Sequence, residues 1–592
     1  MRAIQLMFDT LKRDHLNSYE KSDISTPNFD RLQEKTVQFD NFFSGSLPCM
    51  PARRDLHTGR YNFLHRGWGP LEPFDDSVPE ILKENGIYTH LVTDHKHYWR
   101  DGGATYHNRY SSYELIRGQE GDRWKGHVNK DMEVKGLENL PEAFKSRKAE
   151  SISQDLVNRQ YMQKEEEHFL YRTVEAGLEF LSANLDANPW FLQIECFDPH
   201  EPFFVPEKYL NMYNLSKDDF DGWLGYTFDD FTPEKSDIIK GYYKALVTMC
   251  DAYLGKVLDF MDEHDMWKDT MLIVNTDHGL LLGEHEWWGK NIMPVYNEIA
   301  HLPFFIWNPQ LGVSNEKRSQ LAQNIDVPAT LLDFFHVELP QFMEGKPLRS
   351  VIESNESIHE AGLFGNFGSN LNVVDEDYVY MRAPYPGNED YLYEYTLMPM
   401  RMNRRFTVEE LKDVELDNSF KFTKGVSTLK MQTTDFMGKN YQKFGNKLFN
   451  IKQDPEQKQP LEDPKKELEM IGKLKHLMKE NEAPASLYRY YGLEDLNTVE
   501  DVIKEHQILN KKQEFISENM HFENRNAKEG YLTLVSSIQS EQQAKKMKND
   551  LQQVNKKTSI SKNHLKNWIK RHATQEESAF LNYQLTMALR TD

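Results

Sequence analysis

Cysteine is nearly missing from this chain: three residues in 592, Cys49, Cys196 and Cys250. So few and so scattered, they cannot build a disulfide framework and have no zinc-ligand spacing, which fits a reducing cytoplasm. Positive charge is also short. Against 93 Asp and Glu stand 71 Lys and Arg, a formal net charge of −22. Such a surface argues against nucleic acid or an anionic membrane as partner and leaves only a local basic pocket open. No apolar run approaches the roughly 20 residues that a membrane-spanning helix needs. The opening MRAIQLMFDT enters an apolar strand at once, without the charged, apolar and cleavable parts of a leader. The expectation is a cytoplasmic protein. There is no internal repeat.

What is present is enough apolar sequence for several cores, so one large domain with one or two smaller ones is expected. Short apolar runs alternate with helical patterns through the first half, the signature of crossover units that build a mostly parallel sheet flanked by helices. AIQLMF reads as the first strand. TPNFDRLQEKTVQF reads as a helix, with Thr26 at the cap, Pro27 in the first turn, and Phe29, Leu32 and Val37 on one face. VPEILKENG reads as a helix ended by Gly86, followed by the strand IYTHLVTD. Two further amphipathic helices, HFLYRTVEAGLEFLSANL and YYKALVTMCDAYLGKVLDFMDEH, precede the strands WFLQIECFDPH and MLIVNTDHG. Past residue 370 the texture turns to tyrosine-rich alternation, as in LNVVDEDYVYMRAP, which predicts antiparallel strands. The α/β class is thus expected with three parts: a catalytic domain over 1–370, a smaller α+β subdomain over 371–497, and a polar, helical extension over 498–592. The extension reads as a solvated appendage or a homo-oligomer contact.

In open α/β sheets ligands bind beyond the carboxyl ends of the strands, so polar residues placed there carry most weight. Four ends qualify: Asp9; Asp94, His95, Lys96 and His97; Asp198 and His200; and Asp277 and His278. Taken singly, an aspartate at a strand end caps a turn, His200 is a turn residue and Lys290 of WWGK is a surface charge. Together, the hard oxygens of Asp9 and Asp277 with His278 suit calcium, magnesium or manganese. Asp277 and His278 can share a cation only if the chain bends as it leaves the strand, which Gly279 permits.

Cys49 stands between two prolines in SLPCMPARRDLHTGRY. Arg53 and Arg54 nearby would depress its pKa and make it reactive, yet the C-x5-R spacing of a cysteine phosphatase is absent. A buried, inert cysteine is the ordinary alternative.

CMPARRDLHTGRY resembles the sulfatase signature, C-x-P-[SA]-R with the leucine and TGR that follow. FDTLKRDHL resembles the family's first metal-binding segment, TPNFDRL its next helix, FDPHEPF and TDHGLLLGEHEWWGK its later active-site segments, and LFNIKQDPEQKQPLED its C-terminal subdomain. The resemblance spans roughly 490 residues and stops near Asn497. It implies an alkaline-phosphatase-like fold and a Cys49 that a sulfatase-maturating enzyme oxidises to formylglycine. Hydrated, that aldehyde would attack sulfur with one hydroxyl and expel sulfate from the covalent sulfo-enzyme by losing the proton of the other.

By position, the resemblance implies that Asp9, Cys49, Asp277 and His278 hold the metal, calcium ahead of manganese or magnesium. Arg53 would steady the diol, His97 would stand near the aldehyde, and His200 and Lys290 would bind sulfate and protonate the leaving oxygen. His95 takes the place of a lysine found in many members, and Thr10 that of a second aspartate or an amide, which makes Thr10 one further candidate ligand. Two rival readings stand beside a sulfate ester hydrolase: a phosphonate or phosphate ester hydrolase on the same scaffold, and a silent binding protein in which Cys49 stays unmodified. The expected substrate is a small sulfate monoester, a sulfated sugar.

Overall fold

The computed structural model describes residues 1–128, 142–228, 231–433 and 441–519. Eight strands form the main sheet: β1 (Arg2–Phe8), β2 (Val37–Phe39), β3 (Tyr88–Thr93), β4 (Ser112–Leu115), β5 (Trp190–Cys196), β6 (Thr270–Asn275), β7 (Phe304–Trp307) and β8 (Glu316–Arg318). Their order is β8-β2-β7-β6-β1-β5-β3-β4, and only β7 runs against the rest. All seven residues of β1 are buried, because a strand at the centre of a sheet covered on both sides has no solvent face. Ile4, Leu6 and Phe8 point into one core and Ala3 and Met7 into the other.

Helices cover both faces. Phe29 and Leu32 of α1 (Pro27–Lys35) join the first core, while Met50 and Leu56 of α2 (Cys49–Thr58) and Val78 and Leu82 of α3 (Val78–Glu84) join the second. The long helices α4 (Phe169–Ala183) and α5 (Pro233–Glu263) complete the first. Two details of the α1 expectation are corrected. Val37 is not on the helix: the chain turns extended at Thr36, and Val-Gln-Phe forms β2, where a β-branched and an aromatic residue fit a buried pleat. Thr26 does not cap the helix with its side chain; Asp251 of α5 does that work, accepting from the Asn28 and Phe29 N–H groups at 2.9 and 2.8 Å.

A second sheet is formed by β9 (Gly362–Asn366), β10 (Leu371–Val374), β11 (Tyr378–Arg382) and β12 (Lys447–Asn450), antiparallel throughout, as the tyrosine-rich alternation predicts. Its fifth strand, Ser46–Leu47, comes from the first domain and pairs with β9 in parallel. Helix α6 (Pro464–Glu480) packs Met470, Ile471, Leu474 and Met478 on this sheet. A further helix, Val499–Asn519, opens the expected extension; the remainder of it, 520–592, lies outside the described residues. Among the described residues no helix is long and apolar enough to cross a membrane.

The N-terminus of α4 is held by His168, whose Nδ1 accepts from the Leu170 N–H at 3.2 Å while Nε2–H donates to the Phe204 carbonyl at 2.9 Å. Burial pushes its pKa down to about 4 despite that second bond. A histidine depressed in the fold contributes stability above its ordinary value of 6.5 and loses it as pH falls toward 4. Acid should therefore cost about 2 kcal/mol at this position by pH 4.5. His168→Asn, which retains a capping oxygen without a titrating ring, should melt lower at pH 7 yet show a shallower fall of Tm between pH 6.5 and 4.5; an unchanged slope would refute the assignment.

Candidate active site

Each candidate cluster leaves the sheet at the carboxyl end of a strand: Asp9 after β1, Asp94 to His97 after β3, Asp198 and His200 after β5, Asp277 and His278 after β6. Cys49 is the first residue of α2 and is 2 % exposed. The helix is fixed by Asp55, which accepts from the Ser46 N–H and hydroxyl at 2.6 and 2.7 Å and from the Asn62 side-chain amide at 2.9 Å. One turn along, Arg53 folds back under residue 49 and donates to its carbonyl at 2.9 Å. The rest of the guanidinium meets three buried carboxylates: Asp9 Oδ2 at 2.8 Å, Asp277 Oδ2 at 2.7 Å and Glu195 Oε1 at 2.7 Å.

Asp9, Cys49, Asp277 and His278 each offer a ligand atom within 4.8 Å of all the others. Cys49 Sγ lies 3.1 Å from His278 Nε2 and 3.9 Å from His200 Nε2. Glycine is required at position 279 by crowding: a Cβ there would sit 2.0 Å from the Glu298 carbonyl oxygen. Thr10 adopts a left-handed backbone (φ 66), uncommon for a β-branched residue and a mark of local strain. Its hydroxyl donates to Asp9 Oδ1 at 2.6 Å and accepts from Lys290 Nζ at 2.9 Å. Lys290 also faces Glu201 Oε2 at 3.5 Å, and Glu201 accepts from the Tyr226 hydroxyl. His200 Nδ1 contacts the Glu201 carbonyl, which leaves Nε2 to face residue 49.

His95 and His97 lie beside this group. Their rings are 4.9 Å apart, His95 stacks on Phe197, and Phe197 packs on His200. Neither His95 nitrogen has a hydrogen-bond partner among the described residues, and the same holds for His97 Nδ1. Burial drives both imidazoles well below their ordinary pKa, helped by Arg53 for His95 and Arg100 for His97. Asp94 takes the ordinary role of its type and accepts the Phe197 N–H at 2.7 Å.

One expectation is overturned. The Cys49 thiol is pushed well up, not down: burial comes first, then the negative charge of Asp9, and together they outweigh Lys290 and Arg53. Arg54 points away and pairs with Asp75 at 2.7 Å. Asp9 is the reverse case. Burial would raise its carboxyl, but Arg53, His200, His278 and Lys290 hold it well below the usual range. Glu195, Glu201 and Tyr226 were not singled out from sequence; a glutamate inside the apolar run WFLQIEC was the available signal.

Three carboxylates around one guanidinium leave a surplus of negative charge, and two of them, Asp9 and Asp277, fit a hard divalent cation together with His278. A neutral thiol is a poor fourth donor for such an ion; an oxygen at position 49 suits it better. Fold and site together define a hydrolase of the alkaline phosphatase superfamily. The sequence profile of the Sulfatase family matches residues 3–337, and the chain belongs to that family as a sulfatase-type hydrolase. An arylsulfatase of Clostridium perfringens is 22% identical over 448 residues, 69% of this chain and 91% of the relative. Two solved structures share the fold. BT4656 in complex with D-glucosamine-2-N,6-O-disulfate has a TM-score of 0.54 at 15% identity and covers 82% of this chain and 98% of its own. The phosphonate monoester hydrolase of Agrobacterium radiobacter has a TM-score of 0.55 at 16% identity, with 81% and 95% covered.

Metal affinity should follow this geometry. Partners that merely orient a ligand cost roughly 10–100-fold when removed. Asp277→Asn should therefore weaken calcium binding to metal-stripped protein by at least about 100-fold in titration calorimetry, and Glu195→Gln, behind the guanidinium, by about tenfold. Unchanged affinity in Asp277→Asn would remove it from the ligand set.

Proposed function

We propose that the protein hydrolyses a small sulfate monoester, a sulfated sugar, with formylglycine at position 49 and calcium held by Asp9, Asp277, His278 and residue 49. The observation that supports this most is the enclosure of position 49: a raised, unreactive thiol beside Asp9, Asp277, His278, Arg53 and His200. As cysteine the residue is a poor nucleophile there, whereas an oxygen nucleophile would meet every surrounding group productively. Converted to formylglycine and hydrated, position 49 supplies the attacking hydroxyl, and a bound divalent cation supplies charge to neutralise the sulfate oxygens.

The chain's own residues do the rest. Arg53 fixes the backbone of residue 49 and offsets the carboxylates that gather there. Burial would lower the Lys290 ammonium, but Glu201 and the anionic groups beyond it reverse this and hold it above its ordinary value, so it meets the substrate charged. His200, steered by its Nδ1 contact, presents Nε2 toward position 49 and is the candidate to protonate the leaving oxygen. His95 and His97, both held neutral by burial, lie beside His200. Three buried cysteines with no disulfide support a reducing compartment such as the cytoplasm.

Two measurements test this reading. Mass spectrometry of the Cys49 peptide, from a host with a maturation enzyme, should show the aldehyde in a substantial fraction, and Cys49→Ala should be folded and inactive. Full activity with unmodified cysteine would sink the mechanism, and a higher kcat/KM on a phosphonate monoester than on sulfate esters would move the activity to phosphorus. The second concerns the leaving group. A general acid contributes about 10²–10⁴-fold, mostly for poor leaving groups. His200→Ala should slow a sugar sulfate far more than nitrophenyl sulfate, and Lys290→Ala should do so less steeply; equal losses would assign both to sulfate binding.

A further inference from the structure

The hairpin of β9 and β10 ends beside position 49. Asn366 is in register with Leu47 on the neighbouring parallel strand, and Leu47 leads through Pro48 into Cys49. The hairpin end therefore lies one strand spacing, about 4.8 Å, from the segment that carries the nucleophile. Gly365 and Leu371 are the last paired residues, so Asn366 and Asn370 oppose each other across the turn Phe367–Ser369. Opposed residues of an antiparallel pair share a face, and Asn372, opposite Phe364, continues the row.

The backbone of this turn is fully tied down. Ser369 donates N–H and hydroxyl to the Asn366 carbonyl at 3.1 and 2.9 Å, and the Tyr490 and Tyr491 hydroxyls donate to the Gly368 and Ser369 carbonyls at 2.7 Å. The side chains are not. Nδ2 and Oδ1 of both Asn366 and Asn370 lack a hydrogen-bond partner among the described residues, as does Oδ1 of Asn372. All three residues are 0 % exposed, and Cys49 and Lys290 are each at 2 %. On the far side, the Tyr441 hydroxyl donates to the carbonyl of Asn291, the residue after Lys290, at 2.6 Å. The Asn366 amide approaches that hydroxyl closely enough to act on its pKa as a weak partner, which leaves Asn370 as the amide with none among the described residues.

Buried amides without partners are rare in native folds, and a turn that holds Asn370 and the weakly paired Asn366 one strand from the segment carrying position 49 calls for a ligand that completes them. We infer that Asn366 and Asn370 form a subsite for the hydroxyl groups on the alcohol half of the sulfate ester. Each carboxamide offers a donor and an acceptor, which matches a hydroxyl that both donates and accepts. The groups are neutral, so they recognise a polyol without competing for the sulfate anion. An aryl leaving group has nothing to pair with them. This rests on the sulfatase reading and narrows it to a hydroxyl-rich leaving group.

The test compares 4-nitrophenyl sulfate with a panel of hexose and hexosamine monosulfates, using protein whose residue 49 is shown by mass spectrometry to be formylglycine. Wild type should hydrolyse at least one sugar sulfate. In Asn366→Ala and Asn370→Ala, the ratio of kcat/KM for that sugar to kcat/KM for nitrophenyl sulfate should fall at least tenfold, because a site built to pair hydroxyls loses discrimination when its partners are removed. Asn370→Asp keeps the side-chain volume and should show the same loss of ratio if the alanine variants do not fold. An unchanged ratio overturns the subsite and leaves the asparagines as sites for ordered water. Hydrolysis of nitrophenyl sulfate with no sugar sulfate also overturns it while the sulfatase reading stands; no hydrolysis of any sulfate ester sinks both.

Discussion

The Arg53 guanidinium is the point on which the rest of the site depends. It bonds Asp9 after β1, Glu195 in β5 and Asp277 after β6, and so joins the three central strands to the helix that carries position 49. Its fourth bond, to the Cys49 carbonyl, fixes the backbone of the reacting residue. These groups are all but fully buried, so charge must balance locally; a buried carboxylate left unpaired costs several kcal/mol, on the order of 3–5. The same compactness explains why the loops interlock. Tyr243 of α5 donates to the Thr10 carbonyl and accepts from the Lys12 N–H, and Lys12 pairs with Glu284 at 2.5 Å in the loop that leads to Lys290.

This arrangement also sets what the site can admit. A sulfate ester is an anion, and at position 49 it meets the carboxylates of Asp9 and Asp277, which Arg53 joins to Glu195 behind it. Without a further cation the field at position 49 opposes the substrate, and with one it becomes attractive. Lys290 pairs with Glu201 and is linked through the Thr10 hydroxyl to Asp9. The acid thus lies beneath position 49 and the ammonium beside it.

Much of this was legible in the sequence because it lies at strand ends. Apolar runs located β1, β3, β5 and β6; of the polar residues that follow them, Asp9, His200, Asp277 and His278 lie around position 49 with His95 and His97 alongside, whereas Asp94 accepts a backbone N–H and Lys96 pairs with Glu120. The rest was hidden for physical reasons. Glu195 sits inside a buried strand, where a side chain is invisible as a site residue until its neighbours across the sheet are known. The shift of Cys49 was misread because sequence reveals the nearest charges, Arg53 and Arg54, while the outcome is decided by burial and by Asp9, forty residues away in the chain. Arg54 turned out to belong to Asp75. The left-handed turn at Thr10 and the asparagines of the β9–β10 hairpin had no local signature at all.

The strand Ser46–Leu47 lies in the first domain by sequence and in the second sheet by pairing. Its partner, β9, begins about 310 residues later, and until that strand exists the edge beside position 49 stays open. At roughly 5–20 residues per second of synthesis, this delay lasts on the order of 15–60 seconds. Chain order thus works as a clock: for that interval the Ser46–Leu47 edge has no strand beside it, and the arrival of β9 closes it.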